Sequence, residues 1–93
     1  MTYRIEFAQA ARRDLRRIRD RRALREISDA IARLAVNPRP AGAAKLKAVR
    51  NAWRIRVREW RVCYSVEENR LIVVVLVVAS RGDVYERLRR RRT

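Results

Sequence analysis

Apolar and basic residues alternate one for one along the middle of the chain. Trp53, Ile55 and Val57 fall on one side of an extended backbone, and Arg54, Arg56 and Arg58 on the other. A second run follows, with Trp60, Val62, Tyr64 and Val66 set against Arg61, Cys63 and Ser65. A two-residue turn at Arg58 and Glu59 joins the runs as a hairpin in which Val57 pairs with Trp60, Ile55 with Val62 and Trp53 with Tyr64. That register puts Arg56 opposite Arg61 and Arg54 opposite Cys63. Arg-Glu is not a favoured turn pair, so the register rests on the matching of faces. The predicted sheet is apolar on one face and lined with arginine on the other.

Around this hairpin the pattern changes period. Tyr3, Ile5 and Phe7 alternate with Arg4 and Glu6, a short strand with its apolar residues inward. From Gln9 the spacing turns helical: Ala11, Leu15 and Ile18 form one stripe, and Arg12, Arg13, Arg16, Arg17 and Arg19 cover the rest. Residues 20–22 make a break. Leu24, Ile27, Ile31 and Leu34 then mark a second helix, antiparallel to the first and ending before Asn37 and Pro38. Residues 37–42, NPRPAG, hold both prolines and one of the two glycines and read as a loop, and residues 43–50 read as a connection into the sheet. After the hairpin comes a turn at residues 67–70, then a strand over residues 71–79 that is apolar on both faces and therefore central and buried. Asp83 caps a last short helix over residues 84–90. The fold class is α+β: one domain over residues 1–93, with an antiparallel-rich four-stranded sheet, two N-terminal helices packed on one face, and a short C-terminal helix.

Charge sharpens this picture. Lys and Arg number 25 against 10 Asp and Glu, a net charge of +15, which favours a polyanion or a strongly acidic protein as partner. All but two of the basic residues, Lys45 and Lys47, are arginine, so a solvated surface of arginine-rich composition is the plainer alternative reading of that charge. Histidine is absent and Cys63 is the single cysteine. An internal disulfide is therefore excluded, the commonest zinc ligand and general base is missing, and neither a metal nor another cofactor is expected. The N-terminus lacks a signal-like apolar core, and the longest apolar run, nine residues, is too short for a membrane helix. The expected location is the cytoplasm, with no membrane contact.

Position selects among the arginines. Arg54, Arg56 and Arg61 share one sheet face, Arg81 follows the apolar strand, and Tyr85 lies four residues on. Several guanidinium groups on one patch, with a phenol nearby, suit a phosphodiester, because each fork can grip phosphate through two hydrogen bonds. The plainer alternative is a solvated strand face. Cys63 reads as a small packing residue.

The run WRIRVREWRVCYSVEENRLIVVVLVVASRGDVYERL resembles the C-terminal half of the RelE/ParE superfamily of bacterial toxins. The likeness rests on an aromatic-basic-apolar-basic strand, an aromatic-Arg pair opening the next strand, an acidic turn, an apolar strand and a basic-x-x-x-Tyr ending. PRPAGAAKLKAV is similar to the proline-containing loop and Lys-Leu segment of that superfamily, and the N-terminal strand and two helices match in order. The resemblance covers nearly the whole chain through a succession of weak motifs.

It implies a type II toxin that cleaves messenger RNA in the ribosomal A site without a metal, the 2′-hydroxyl attacking the adjacent phosphate. Carried over by position, Arg61, Arg81 and Tyr85 become the catalytic residues. The two arginines hold the scissile phosphate, and the tyrosine stacks on a base or transfers a proton. Arg54 and Arg56, with Lys45 and Lys47, become RNA-binding residues. The implied partners are a cognate acidic antitoxin, in a toxin–antitoxin hetero-oligomer, and the ribosome with its message. Two positions depart from the pattern. The second strand carries Arg54 and Arg56 where ribonuclease members carry lysines, and Ser80 stands where many have His or Lys, which leaves the general base unassigned. A toxin of the ParE branch that inhibits DNA gyrase, and a basic nucleic-acid-binding module, are the competing readings.

Overall fold

The computed structural model describes residues 2–47 and 49–80. Strand β1 (Arg4–Phe7) leads into helices α1 (Gln9–Arg16) and α2 (Arg21–Arg33). Strands β2 (Ala44–Leu46), β3 (Ala52–Val57), β4 (Trp60–Glu67) and β5 (Ile72–Ala79) follow. The spatial order is β1-β5-β4-β3-β2, with β1 parallel to β5 and every other pair antiparallel.

Both helices form for reasons visible in the chain. In α1, Ala11 is wholly buried and Ile18, just past the end, is nearly so, while the intervening arginines face out. Asp20 ends the break and caps α2: its carboxylate accepts hydrogen bonds from the backbone N–H groups of Arg22 and Ala23 at 3.0 and 3.1 Å. Ala23, Ile27, Ile31 and Leu34 then form the buried stripe of α2, and Leu24 is half-buried beside it. The two helices cover one sheet face. There they pack with Ile55, Val62, Tyr64, Val66, Val73, Val75 and Val78 in the main core.

The hairpin register matches the sequence reading at every pair. Trp53 faces Tyr64, Ile55 faces Val62, Val57 faces Trp60, Arg54 faces Cys63 and Arg56 faces Arg61. Its turn places Arg58 in the left-handed region, φ 57°, where a non-glycine residue costs about 1–2 kcal/mol. The same residue reaches helix α2, donating from Nε and Nη2 to the two carboxylate oxygens of Glu26 at 2.6 and 2.9 Å. This two-point pair ties the hairpin tip to the helix layer and offsets part of that strain.

Three expectations change. The sheet has five strands among the described residues, not four, because residues 44–46 pair with β3 as an edge strand. Three residues, Ala44, Lys45 and Leu46, are too few to show a period, and it is the partner strand that makes them extended. Strand β5 is interior and buried as expected, but β4 is the middle strand. Trp53, on the apolar hairpin face expected to lie under the helices, is only half-buried, and the Arg39 guanidinium sits 5.3 Å from its ring centroid. The C-terminal helix expected over residues 84–90 lies outside the described residues.

Candidate nucleic-acid interface

The face of the sheet turned away from the helices carries Arg54 and Arg56 from β3 and Arg61 from β4. Strand alternation sends all three the same way, and the register sets Arg56 directly across from Arg61, whose other neighbour is Ala79 of β5. Beneath them lies a second, smaller apolar cluster of Leu46, Val49, Ala52, Cys63, Val77 and Ala79. Arg54 and Arg61 are half-buried and Arg56 is exposed, so aliphatic stems lie along that cluster.

No carboxylate among the described residues lies within ion-pair distance of these three arginines; the pairs that form are Arg4–Glu6, Arg39–Glu68, Arg58–Glu26 and Arg70–Glu67. Arg56 is steadied by its own chain, its Nε donating to the carbonyl of Arg58 at 3.1 Å. Cys63 sits under the patch, and burial pushes its thiol up to about 11 against the opposing pull of Arg54 and Arg61. A thiol held protonated is a poor nucleophile, in keeping with a packing role.

The remaining predicted residues are placed differently. Lys45 pairs with Trp53 in the β2–β3 register and so falls on the opposite side of the sheet from Arg54 and Arg56. Lys47 follows the end of β2 and is exposed. Arg81 and Tyr85 lie outside the described residues. The structure thus brings three of the seven predicted site residues together, Arg54, Arg56 and Arg61, and sets Lys45 apart from them. A groove of about 870 Å³ opens between α2, the proline loop and β3, and of the predicted residues Arg56 alone lines it. No group of three metal-ligating side chains occurs among the described residues.

Several supporting contacts escaped the sequence reading. Tyr64, fully buried, donates its hydroxyl to the carbonyl of Pro38 at 2.6 Å, and burial pushes the phenol up to about 12. Glu68, in the β4–β5 turn, pairs with Arg39 and accepts from the Tyr3 hydroxyl at 2.8 Å, so the proline loop is tied through that turn to the residue before β1. These partners are 26 or more residues apart in sequence, and no local pattern signals them. Asp14 is different. A carboxylate between Ala11 and Leu15 interrupts the apolar stripe of α1, and that interruption was visible in the sequence.

Comparison with known proteins agrees with this architecture. Residues 5–85 match the family model of the ParE toxin of type II toxin–antitoxin systems, parDE. Toxin RelG of Mycobacterium tuberculosis is 28% identical over 87 residues, 94% of this chain and 100% of that one. Among solved structures, a free mutant of the E. coli toxin RelE superposes with a TM-score of 0.81 at 21% identity, covering 98% of each chain. The archaeal RelE–RelB complex from Pyrococcus horikoshii gives 0.76 at 24% identity, over 88% of this chain and 98% of that one. At such identities these structures establish the fold.

Proposed function

The chain belongs to the ParE toxin family of type II toxin–antitoxin systems, and on that premise we propose that it inhibits translation by cutting messenger RNA in the ribosomal A site. The observation that carries this reading is the arginine face: Arg56 directly opposite Arg61, Arg54 beside them, and no carboxylate in reach among the described residues. Like charges placed opposite each other on a sheet cost stability, and an anionic ligand turns that cost into binding.

In this reading the 2′-hydroxyl of the message gives up its proton as its oxygen attacks the adjacent phosphorus, forming a 2′,3′-cyclic phosphate. The bond to the 5′-oxygen breaks, and that oxygen leaves as a hydroxyl after taking a proton. Arg61 and Arg81 hold the scissile phosphate and stabilise the charge that grows on it. Arg54 and Arg56 grip the flanking backbone, and Tyr85 stacks on a base or moves a proton. Lys45 and Lys47 touch a separate stretch of RNA, since Lys45 stands on the other side of the sheet. The mechanism needs no metal. An acidic antitoxin that covers the arginine face silences the toxin in the cytoplasm, and its association is fast and weakened by salt.

Two features favour inhibition of DNA gyrase instead. The family model that matches is that of ParE, and Arg54 and Arg56 stand where the ribonuclease branch carries lysine, a residue better suited than a guanidinium to act as a general base. Primer extension on messages from cells making the protein separates the two. Cuts within codons, lost in Arg61→Ala by about 10²- to 10³-fold with the fold intact, support the nuclease. Intact messages with collapsed supercoiling transfer the function to gyrase.

A further inference from the structure

Strand β1 accompanies β5 only as far as the pair Phe7–Val75, and the last bond between them is from the N–H of Ala8 to the carbonyl of Val75 at 2.9 Å. The chain then turns away into α1. Strand β5 continues for four more residues, and a bulge intervenes: Cys63 pairs with Val77 but Tyr64 with Val75, so Leu76 is the extra residue. The bulge changes the phase of the strand. Before it, Val73 and Val75 join the core under the helices; after it, Val78 does so, while Val77 and Ala79 turn to the arginine face.

The N–H of Val78 lies beyond the reach of β1, and a side chain takes it. Asp14, on α1, is only 7% exposed and is the buried charged residue of the described chain. Its Oδ2 accepts the hydrogen bond from Val78 at 3.0 Å, across 64 residues of sequence. Burying a carboxylate is costly unless donors meet it, so this placement is specific. Val78 pairs with Val62 and the next residue, Ala79, pairs with Arg61. The carboxylate of a rigid helix therefore holds the segment of β5 against which Arg61 is registered.

We propose that Asp14 is a positioning residue for the arginine face, fixing the end of β5 and through it the place of Arg61; this rests on the nuclease reading above. A carboxylate that merely satisfied an amide would affect stability alone. A positioning carboxylate also sets the rate of each folded molecule, because displacing a phosphate-holding group by about 1 Å costs up to about 10²-fold.

The test uses the full chain and message-programmed ribosomes, under single-turnover conditions, at a temperature where circular dichroism shows each variant folded. Asp14→Ala is expected to lower the maximal cleavage rate by about tenfold to 10²-fold, leaving the half-saturating ribosome concentration unchanged. Asp14→Asn keeps an oxygen in the same place and restores most of the rate. Amide exchange at Val78 and Ala79 quickens in the alanine variant and not in the asparagine one. If Asp14→Ala fails to fold, Asp14→Glu carries the test, since it keeps the charge but moves it by one methylene; it too is expected to cut slowly. A folded alanine or glutamate variant that cuts at the wild-type maximal rate overturns the positioning role and leaves the nuclease reading standing. Wild type that leaves messages intact overturns the nuclease reading, and the positioning role with it.

Discussion

The two faces of the β3–β4 hairpin are built from neighbouring residues of the same strands, yet they are stabilised in opposite ways. On one, Trp53 meets Tyr64, Ile55 meets Val62 and Val57 meets Trp60, and the helices close over them. Every pair gains from burial and cross-strand contact. On the other, Arg56 meets Arg61 with no carboxylate in reach among the described residues, over a smaller cluster. The first face makes the protein fold. The second costs some stability, a cost that the anionic ligand of the proposed function would offset. The comparison separates residues whose loss should lower melting temperature from residues whose loss should lower activity.

The largest effect should come from the apolar face. Tyr64→Ala removes a fully buried ring and its hydroxyl, and should cost about 3–5 kcal/mol of stability in urea unfolding. Tyr64→Phe should cost less, about 1–3 kcal/mol, because it strands the buried carbonyl of Pro38. Trp53→Ala should fall below Tyr64→Ala, since Trp53 is half-buried. If Arg61→Ala lowered stability as much as Tyr64→Ala, the division between the faces would be wrong.

Arg56→Glu probes the arginine face directly. It replaces a like-charge pair with an opposite-charge one across from Arg61, and should raise stability by roughly 0.2–1 kcal/mol while reducing toxicity. A variant both less stable and fully toxic would show that Arg56 serves the fold. Thermal unfolding and a growth assay read the two quantities independently.

The smallest effect belongs to the exposed ion pairs that tie the layers together. Hydrogen bonds from Arg58 and Arg39 hold the carboxyls of Glu26 and Glu68 below their ordinary value of 4.5. A carboxylate with a lowered folded-state value adds stability that is present above the ordinary value and is lost as pH falls through the lowered one. Urea midpoints measured from about pH 6 down to about pH 2 should therefore show wild type losing its small advantage over Glu26→Gln/Glu68→Gln in acid. An advantage that persists at the acid end would mean that these pairs do not link folding to pH.

Much of this molecule is local enough to be legible in the sequence. A period of two with alternating character placed Trp53, Ile55 and Val57 on one face and Arg54 and Arg56 on the other. Since side chains of a strand alternate strictly, a register that pairs all the large apolar residues is nearly unique. The helical stripes of α1 and α2 follow from the same kind of repetition, and so does the family succession of short motifs. What needed the tertiary structure is whatever depends on partners distant in sequence. Residues 44–46 become a strand only because β3 offers an edge, and that pairing turns Lys45 away from the arginine face. The extra residue in β5 reverses the facing of Val77 and Val78, which an unbroken run of valines and leucine cannot reveal. Asp14 could be seen as an interruption of an apolar stripe, but its acceptor role appears only when α1 lies across the end of β5. Periodicity tells a residue which way to face; only packing decides what it will meet there.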